Sequence, residues 1–108
     1  MDNNYEMIFC IVNAGFSETV MEASRACGAG GGTVISARGT ASKESEQVYN
    51  ISIEPEKEIV MILVKKEIKE NILHALYQKV GLQTPGQGIA FSTPVDDVIG
   101  LSEKKINS

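Results

Sequence analysis

The stretch EIVMILVKKEIKENILHALYQKVG, residues Glu58 to Gly81, carries the two clearest secondary-structure patterns of the chain. Its first part, Glu58 to Val64, is an apolar run of the length of a strand and predicts a buried β-strand. Apolar side chains then recur at helical spacing, which predicts a helix from Lys65 that ends at Gly81. The members of this apolar stripe are Ile68, Ile72, Leu73, Leu76, Tyr77 and Val80. The stretch therefore predicts a strand followed directly by an amphipathic helix.

The chain upstream of this stretch contains another strand and helix. Glu6 to Val12 is apolar on both alternating faces and predicts a covered strand. Ser17 is a favourable N-cap for the helix that follows, and Glu18 places a negative charge in its first turn. Gly28 supplies a left-handed helix stop, and Thr33 to Ala37 predicts the next strand.

The remaining segments complete the predicted order of elements. Thr40 to Gln47 is polar and without periodicity, so it predicts a loop, and Val48 to Ile53 alternates like a strand before Pro55 interrupts it. Gly88 to Val95 predicts a last strand, and Asp96 to Leu101 is expected to close the fold.

The order β-α-β-β-α-β predicts an α+β, ferredoxin-like fold in which an antiparallel sheet carries both helices on one face. No shift in composition marks a second domain. We therefore expect a single domain over residues 1–108, with residues 102–108 as a frayed tail.

Composition excludes several classes of partner. Hydrophobic residues make up 43% of the 108 and charged residues 22%, which is typical of a globular domain. The net charge is −4 and no block of Lys or Arg stands out, so nucleic acid and anionic membranes are not expected partners. No apolar run approaches the length of a membrane-spanning helix and the N-terminus does not resemble a signal peptide, which predicts a cytoplasmic protein without membrane insertion.

The reactive side chains do not form a recognisable catalytic set. Cys10 and Cys27 are interpreted as buried thiols, because no second Cys or His lies at metal-ligand spacing. His74 is expected on a helix surface or at an interface, and Ser17 is a cap before it is a nucleophile. The carboxylate pairs Glu54/Glu56 and Asp96/Asp97 lack a histidine partner. The sequence therefore predicts a protein that is not an enzyme.

A run of glycines in the stretch CGAGGGTVISARGT, Cys27 to Thr40, is longer than a helix stop requires. Without side chains at Gly30 to Gly32, a ligand or a neighbouring backbone could approach closely, and a flexible tight turn is an equally good interpretation. The run has neither the spacing of a dinucleotide-binding motif nor the Gly-Lys-Ser/Thr of a P-loop.

Several motifs, taken in order, are similar to those of the PII signalling proteins (nitrogen regulatory protein P-II). The pattern G-x-T-V-x-x-x-R-G runs from Gly31 to Gly39, and Tyr49 and Pro55 follow before the strong strand. The segment TPGQGIAF, Thr84 to Phe91, resembles the family's later glycine-rich segment, and DDVIGL resembles the segment after it. The resemblance covers about Glu6 to Leu101.

This resemblance implies a function as well as the ferredoxin-like fold. Family members are homotrimers that sense adenine nucleotides, often with 2-oxoglutarate, and that control other proteins through a long mobile loop. Their ligand clefts lie between subunits. The implied ligand-binding residues are Gly31, Gly32, Thr33, Arg38, Gly39, Gly86, Gln87 and Gly88, and the implied partner-binding loop residues are Lys43, Glu44 and Glu46.

This chain departs from the family pattern at its cationic positions. The family's G-D-G-K is here Gly86, Gln87, Gly88 and Ile89, and its two later arginines correspond to Gly100 and Ser102. Since charge-assisted contacts to phosphate are strong, their loss predicts weak ATP binding unless another lysine substitutes. The ligand is expected to be an adenine nucleotide with fewer phosphates or a small carboxylate. The loop from Thr40 to about Val48 is shorter than usual and is predicted to be mobile.

Two functions remain open. The first is a PII-like homotrimer that binds a small effector and regulates a protein partner (a transporter, enzyme or regulator), for which nitrogen or carbon metabolism is the expected setting. The second is a trimeric ferredoxin-like protein of another kind, either of the metal-tolerance type or a small-molecule enzyme. Fold alone does not decide between them, and the ordered motifs favour the first.

Overall fold

A computed structural model of the protein describes residues 4–40 and 55–101, which form four strands and two α-helices. In chain order these are β1 (Tyr5–Asn13), α1 (Ser17–Ala26), β2 (Thr33–Arg38), β3 (Glu56–Lys65), a short 3₁₀ helix (Lys66–Ile68), α2 (Lys69–Val80) and β4 (Ile89–Val95). The predicted strand Val48 to Ile53, the loop residues Lys43, Glu44 and Glu46, and the tail 102–108 lie outside the described residues.

The four strands form one sheet in the order β2-β3-β1-β4, with every neighbouring pair antiparallel. The central strand β1 pairs with β3 from Tyr5 opposite Lys65 to Asn13 opposite Lys57. Together with the two helices, this arrangement confirms the predicted α+β, ferredoxin-like fold.

The core lies between the sheet and the helices. Alternate residues of β1 and β3 face the helices and are buried, which follows from the two-residue period of a strand. The strand side of the core consists of Ile8, Cys10, Val12, Val60, Ile62 and Val64, and the helix side includes Val20, Met21, Ile72, Leu76 and Val80. Burial raises the pKa of the Cys10 thiol to about 11 by desolvation, so this thiol is neutral at physiological pH.

The opposite face of the sheet is also apolar but no helix covers it. By the register of the strands, this open face contains Met7, Phe9, Ile11, Ile35, Ile59, Met61, Leu63, Ile89 and Phe91. Phe9 and Phe91 stack across β1 and β4 with their ring centroids 5.2 Å apart. Ile35, Ile89 and Phe91 remain 43%, 55% and 49% exposed in the single chain. Such a contiguous apolar surface is typical of an interface.

The second helix begins at Lys69, later than the predicted start at Lys65. Lys65 still belongs to the β3 ladder opposite Tyr5, and the Lys66 N–H donates to the Asn4 carbonyl at 2.7 Å. These strand contacts extend the backbone at Lys65, so the 3₁₀ turn and then α2 follow it. Strand β3 also begins at Glu56, two residues before the predicted start at Glu58. Gly81 is the C-cap of α2, as predicted.

The segment after β4 does not close the fold as predicted. Residues 97–101 have no regular secondary structure, and the Ile99 side chain is 97% exposed. No described part of the chain covers this side chain.

No helix of the described residues is long and apolar enough to span a membrane.

Candidate functional site

The predicted site residues fall into two separate groups on one chain. Gly31, Gly32 and Thr33 lie at the start of β2, whereas Arg38 and Gly39 lie at its other end. Five residue steps separate Thr33 from Arg38, which is about 17 Å along a strand. The segment Gly86 to Gly88 lies near the second group, because the Asn13 N–H at the end of β1 donates to the Gly86 carbonyl at 2.9 Å.

The glycines between α1 and β2 have different roles. Gly28 has a φ of +106° directly after α1, so its predicted role as a left-handed helix stop is confirmed. A Cβ on Gly32 would lie 2.9 Å from the Met21 sulfur and 3.0 Å from the Met61 carbonyl oxygen, so a larger residue there would force these neighbours to shift. A Cβ on Gly31 would meet no atom within 4 Å. Gly31 therefore has open space around it in which a ligand could approach.

The Asn13 side chain forms hydrogen bonds that link the parts of the second group. It is buried, and its Nδ2 donates to the Pro85 carbonyl at 2.9 Å and lies 3.5 Å from Gln87 Oε1. Its Oδ1 accepts a hydrogen bond of 2.6 Å from the Lys57 ammonium group. The Asn13 amide side chain thus connects the glycine-rich segment before β4 to the start of β3.

The glycine-rich segment is folded tightly and uses part of its own backbone. The Gln87 N–H donates to the Thr84 carbonyl at 2.9 Å, and the Gly88 N–H donates to the Val80 carbonyl at 2.6 Å. Gln87 adopts a left-handed conformation with φ of 46°. The Gln87 and Gly88 N–H groups are therefore engaged within the segment itself and are not open to ligand oxygens.

Arg38 lies on the helix side of the sheet, on the edge strand and opposite Glu56 in register. It lines a recess of about 400 Å³, whose other walls are Ala14, Ser36, Ala37, Glu56, Lys57 and Glu58. Arg38 is exposed and makes no ion pair with any described residue. An exposed guanidinium keeps all of its hydrogen-bond donors available for an anion.

Glu58 caps the first helix, a role that the sequence assigned to Ser17. The Glu58 Oε1 accepts hydrogen bonds from the Gly15 and Ser17 N–H groups, both at 3.2 Å. Ser17 is the first helical residue, and the N-cap residue Phe16 makes no side-chain cap bond. The predicted Ser17 cap is therefore wrong, because a carboxylate from β3 already satisfies these N–H groups and lies at the positive end of the helix dipole.

Replacing Glu58 with alanine should lower the free energy of unfolding by about 1–2 kcal/mol, the range for loss of a helix cap. Urea unfolding followed by circular dichroism measures the change. Glu56→Ala is the matched control, because Glu56 is exposed on the same strand and has no hydrogen bond to α1. Equal losses in the two variants would contradict the capping role.

Two further features bear on alternative chemistry. A mostly apolar cavity of about 330 Å³ lies between α2 and β4, with the neutral Cys10 thiol among its lining residues. Across residues 4–40 and 55–101, no three side chains of His, Cys, Asp or Glu gather in a way that could hold a metal ion. His74 is exposed on α2.

Sequence reasoning missed Asn13, Lys57 and Glu58. Asn13 and Lys57 belong to none of the motifs, and Glu58 was only the first residue of a predicted strand. Their contacts join residues 44, 74 and 41 positions apart, so no local pattern reveals them.

Comparison with solved structures places the chain among PII proteins in fold. The Arabidopsis thaliana PII structure bound to citrate has a TM-score of 0.68 and 25% sequence identity, over 93% of this chain and 82% of that one. The Bacillus subtilis GlnK–ATP complex has a TM-score of 0.62 and 14% identity, over 88% and 84%. A functionally unknown protein from Pediococcus pentosaceus ATCC 25745 has a TM-score of 0.65 and 14% identity, over 93% and 100%.

The sequence itself identifies the family. No individually curated protein matched the chain at a significant level. The family model of nitrogen regulatory protein P-II matches residues 5–105, nearly the full length of the chain. This match includes both glycine-rich segments and all the described strands and helices. The chain therefore belongs to the nitrogen regulatory protein P-II family.

Proposed function

We propose that this protein is a homotrimeric PII-type regulator that binds a small anionic effector in clefts between subunits. The observation that carries the proposal is the division of the site residues. Within one chain, Thr33 of the first group lies about 17 Å along the strand from Arg38 of the second. A cleft between two chains would bring the first group of one subunit against the second group of its neighbour.

The open sheet face supports the trimer. All four strands contribute apolar side chains to it, and Ile89 and Phe91 are half exposed in the single chain. A chain of 108 residues has a small core, so burial of this face between copies would add considerably to its stability. The occupant of the face is two further copies of the same chain.

The charges near β2 and β3 favour an effector of modest charge. Arg38 lies opposite Glu56, and Glu58 lines the same recess. These carboxylates oppose the accumulation of negative charge, so a triphosphate is disfavoured relative to AMP, ADP or a carboxylate. The two similar PII proteins in solved structures are bound to citrate and to ATP, respectively. A carboxylate and a nucleotide are thus both reasonable effectors.

The regulated partner would bind the segment from Thr40 to about Val48. This segment includes Lys43, Glu44 and Glu46 and follows directly after Gly39. A ligand near Arg38 and Gly39 would therefore act at the base of the partner-binding segment. We expect this regulation to operate in the cytoplasm, in nitrogen or carbon metabolism, on a transporter, an enzyme or another regulator.

Calorimetric titration with AMP, ADP, ATP, 2-oxoglutarate and citrate tests the effector. We expect ATP to bind more weakly than AMP or ADP. Arg38→Ala should reduce the binding free energy of the preferred ligand by about 1.5–3 kcal/mol, the range for a hydrogen bond to a charged group. Tight ATP binding that Arg38→Ala leaves unchanged would contradict both the site and the charge argument.

A further inference from the structure

Asn13, the last residue of β1, contacts the glycine-rich segment with both its backbone and its side chain, although it belongs to no motif. We propose that Asn13 is a positioning residue of the effector site. Its side-chain amide orients the Gln87 carboxamide so that the Gln87 Nε2 group donates hydrogen bonds to an oxygen atom of the effector. This inference rests on the proposed function and deepens it, because it identifies which kind of ligand atom the segment accepts.

Two contacts fix the orientation of the Asn13 amide. The Lys57 ammonium group can only donate, so the atom that faces it at 2.6 Å is the Asn13 Oδ1. The Pro85 carbonyl can only accept, so the atom that faces it at 2.9 Å is the Asn13 Nδ2. An amide rotated by half a turn would place donor against donor and acceptor against acceptor. The Asn13 amide therefore has a single favourable orientation.

The orientation of Asn13 in turn determines that of Gln87. The Asn13 Nδ2 carries two N–H groups, of which Pro85 accepts one. Nδ2 also faces the Gln87 Oε1 at 3.5 Å, which leaves the Gln87 Nε2 on the arm of the carboxamide that points away from Asn13. No residue in 4–40 or 55–101 accepts a hydrogen bond from this Nε2. Gln87 therefore has two N–H donors available to a ligand.

The surroundings of both residues hold this arrangement in place. Asn13 is only 6% exposed, and its backbone N–H donates to the Gly86 carbonyl at 2.9 Å. Gln87 is half-buried, and among the residues that the structure describes it alone has a side chain on a left-handed backbone, with φ of 46°. Glycine adopts this conformation at lower cost. A glutamine there, between two glycines, indicates that its side chain has a function.

A carboxamide that presents only N–H groups selects acceptor atoms in a ligand. Oxygen atoms of a carboxylate or a phosphate fit this position, and their hydrogen bonds are stronger than those between neutral groups. An amino or ammonium group of a ligand would meet donors and would be disfavoured. The inference therefore places an oxygen of the effector's anionic group at Gln87 Nε2.

A double-mutant cycle on the full chain tests the inference, with calorimetric titration of AMP and citrate as probes. Gln87→Met keeps the length of the side chain and removes both donors, so it should weaken binding by about 10- to 100-fold. Asn13→Asp keeps an acceptor for Lys57 but has no N–H groups. Gln87 would then turn its Nε2 towards the new carboxylate and its Oε1 towards the ligand, so we expect a loss at least as large.

The combined variant separates positioning from other effects of Asn13→Asp. In the Gln87→Met background there is no carboxamide to turn, so the loss caused by Asn13→Asp should be smaller by about tenfold. The charge that this substitution adds acts in both backgrounds and cancels in the comparison. Equal losses in the two backgrounds would show a merely structural or electrostatic role of Asn13 and would overturn the inference.

A measurement on wild type does not depend on the folding of any variant. In nitrogen–proton correlation spectra, the side-chain NH₂ resonances of Gln87 should shift when the protein is saturated with AMP or citrate. If a probe binds but these resonances stay in place, the inference is wrong and the proposed function stands. If neither AMP nor citrate binds wild type at roughly millimolar concentration, both this inference and the proposed effector chemistry are wrong.

Discussion

Replacing Gly88 with alanine should lower the free energy of unfolding by about 3 kcal/mol, near the upper end of the range for an overpacked core. The new Cβ would lie 2.6 Å from the Val80 carbonyl oxygen and 2.8 Å from Val12 Cγ1. The backbone cannot move away easily, because the Gly88 N–H donates to that same Val80 carbonyl. Urea unfolding monitored by circular dichroism measures the loss.

Gly31→Ala is the matched control for this substitution. Both glycines belong to the predicted ligand site, but a Cβ on Gly31 meets open space. Its φ lies outside the left-handed region that favours glycine, so alanine should change the unfolding free energy by less than about 0.5–1 kcal/mol. A Gly88→Ala variant as stable as Gly31→Ala would show that the stability of the fold does not depend on the close approach of Gly88 to the end of α2.

Replacing Phe91 with glutamate should dissociate the proposed trimer into single chains. Phe91 lies on the open face, 49% exposed, and its ring stacks on Phe9. In a trimer the substitution would remove three apolar side chains from the interface and place three carboxylates there. Each lost side chain is worth about 1.5–3 kcal/mol, and a buried unpaired charge adds a larger penalty. We expect the dissociation constant to rise by about a thousandfold or more.

Sedimentation velocity measures the assembly state of this variant. Tyr77→Glu is the control, because Tyr77 is a 72% exposed aromatic residue on α2, on the other side of the sheet. It should leave the assembly unchanged. Circular dichroism should show that both variants keep their secondary structure. Wild type that sediments as one chain, or Phe91→Glu that stays a trimer, would contradict the proposed interface.

The type and order of the elements were predictable from local sequence patterns. The apolar runs at Glu6 to Val12 and Glu58 to Val64 gave strands, and the stripe from Ile68 to Val80 gave a helix, as observed. Short connections and the order of these elements leave few topologies, of which the ferredoxin-like fold is one. The motifs from Gly31 to Gly39 and from Thr84 to Phe91 then indicated the P-II family, which the family model confirms.

The ends of elements were less predictable, because they depend on contacts between strands. Lys65 is the predicted first residue of the second helix but pairs with Tyr5 in the sheet, so the helix begins at Lys69. Ser17 has the chemistry of a cap, yet Glu58 supplies the capping oxygen from β3. In both cases a long-range partner prevailed over a local preference.

The sequence by itself determined the fold and the family, since both follow from local periodicity and from motifs that are contiguous in the chain. The tertiary structure alone decided how the candidate site is built. It divided the predicted residues into two groups, one at each end of β2, and it brought Lys57 to Asn13, 44 residues away. The physical reason is strand register: which side chains meet across a sheet is set by the pairing of whole strands and the packing of the core, and no short stretch of sequence contains that information.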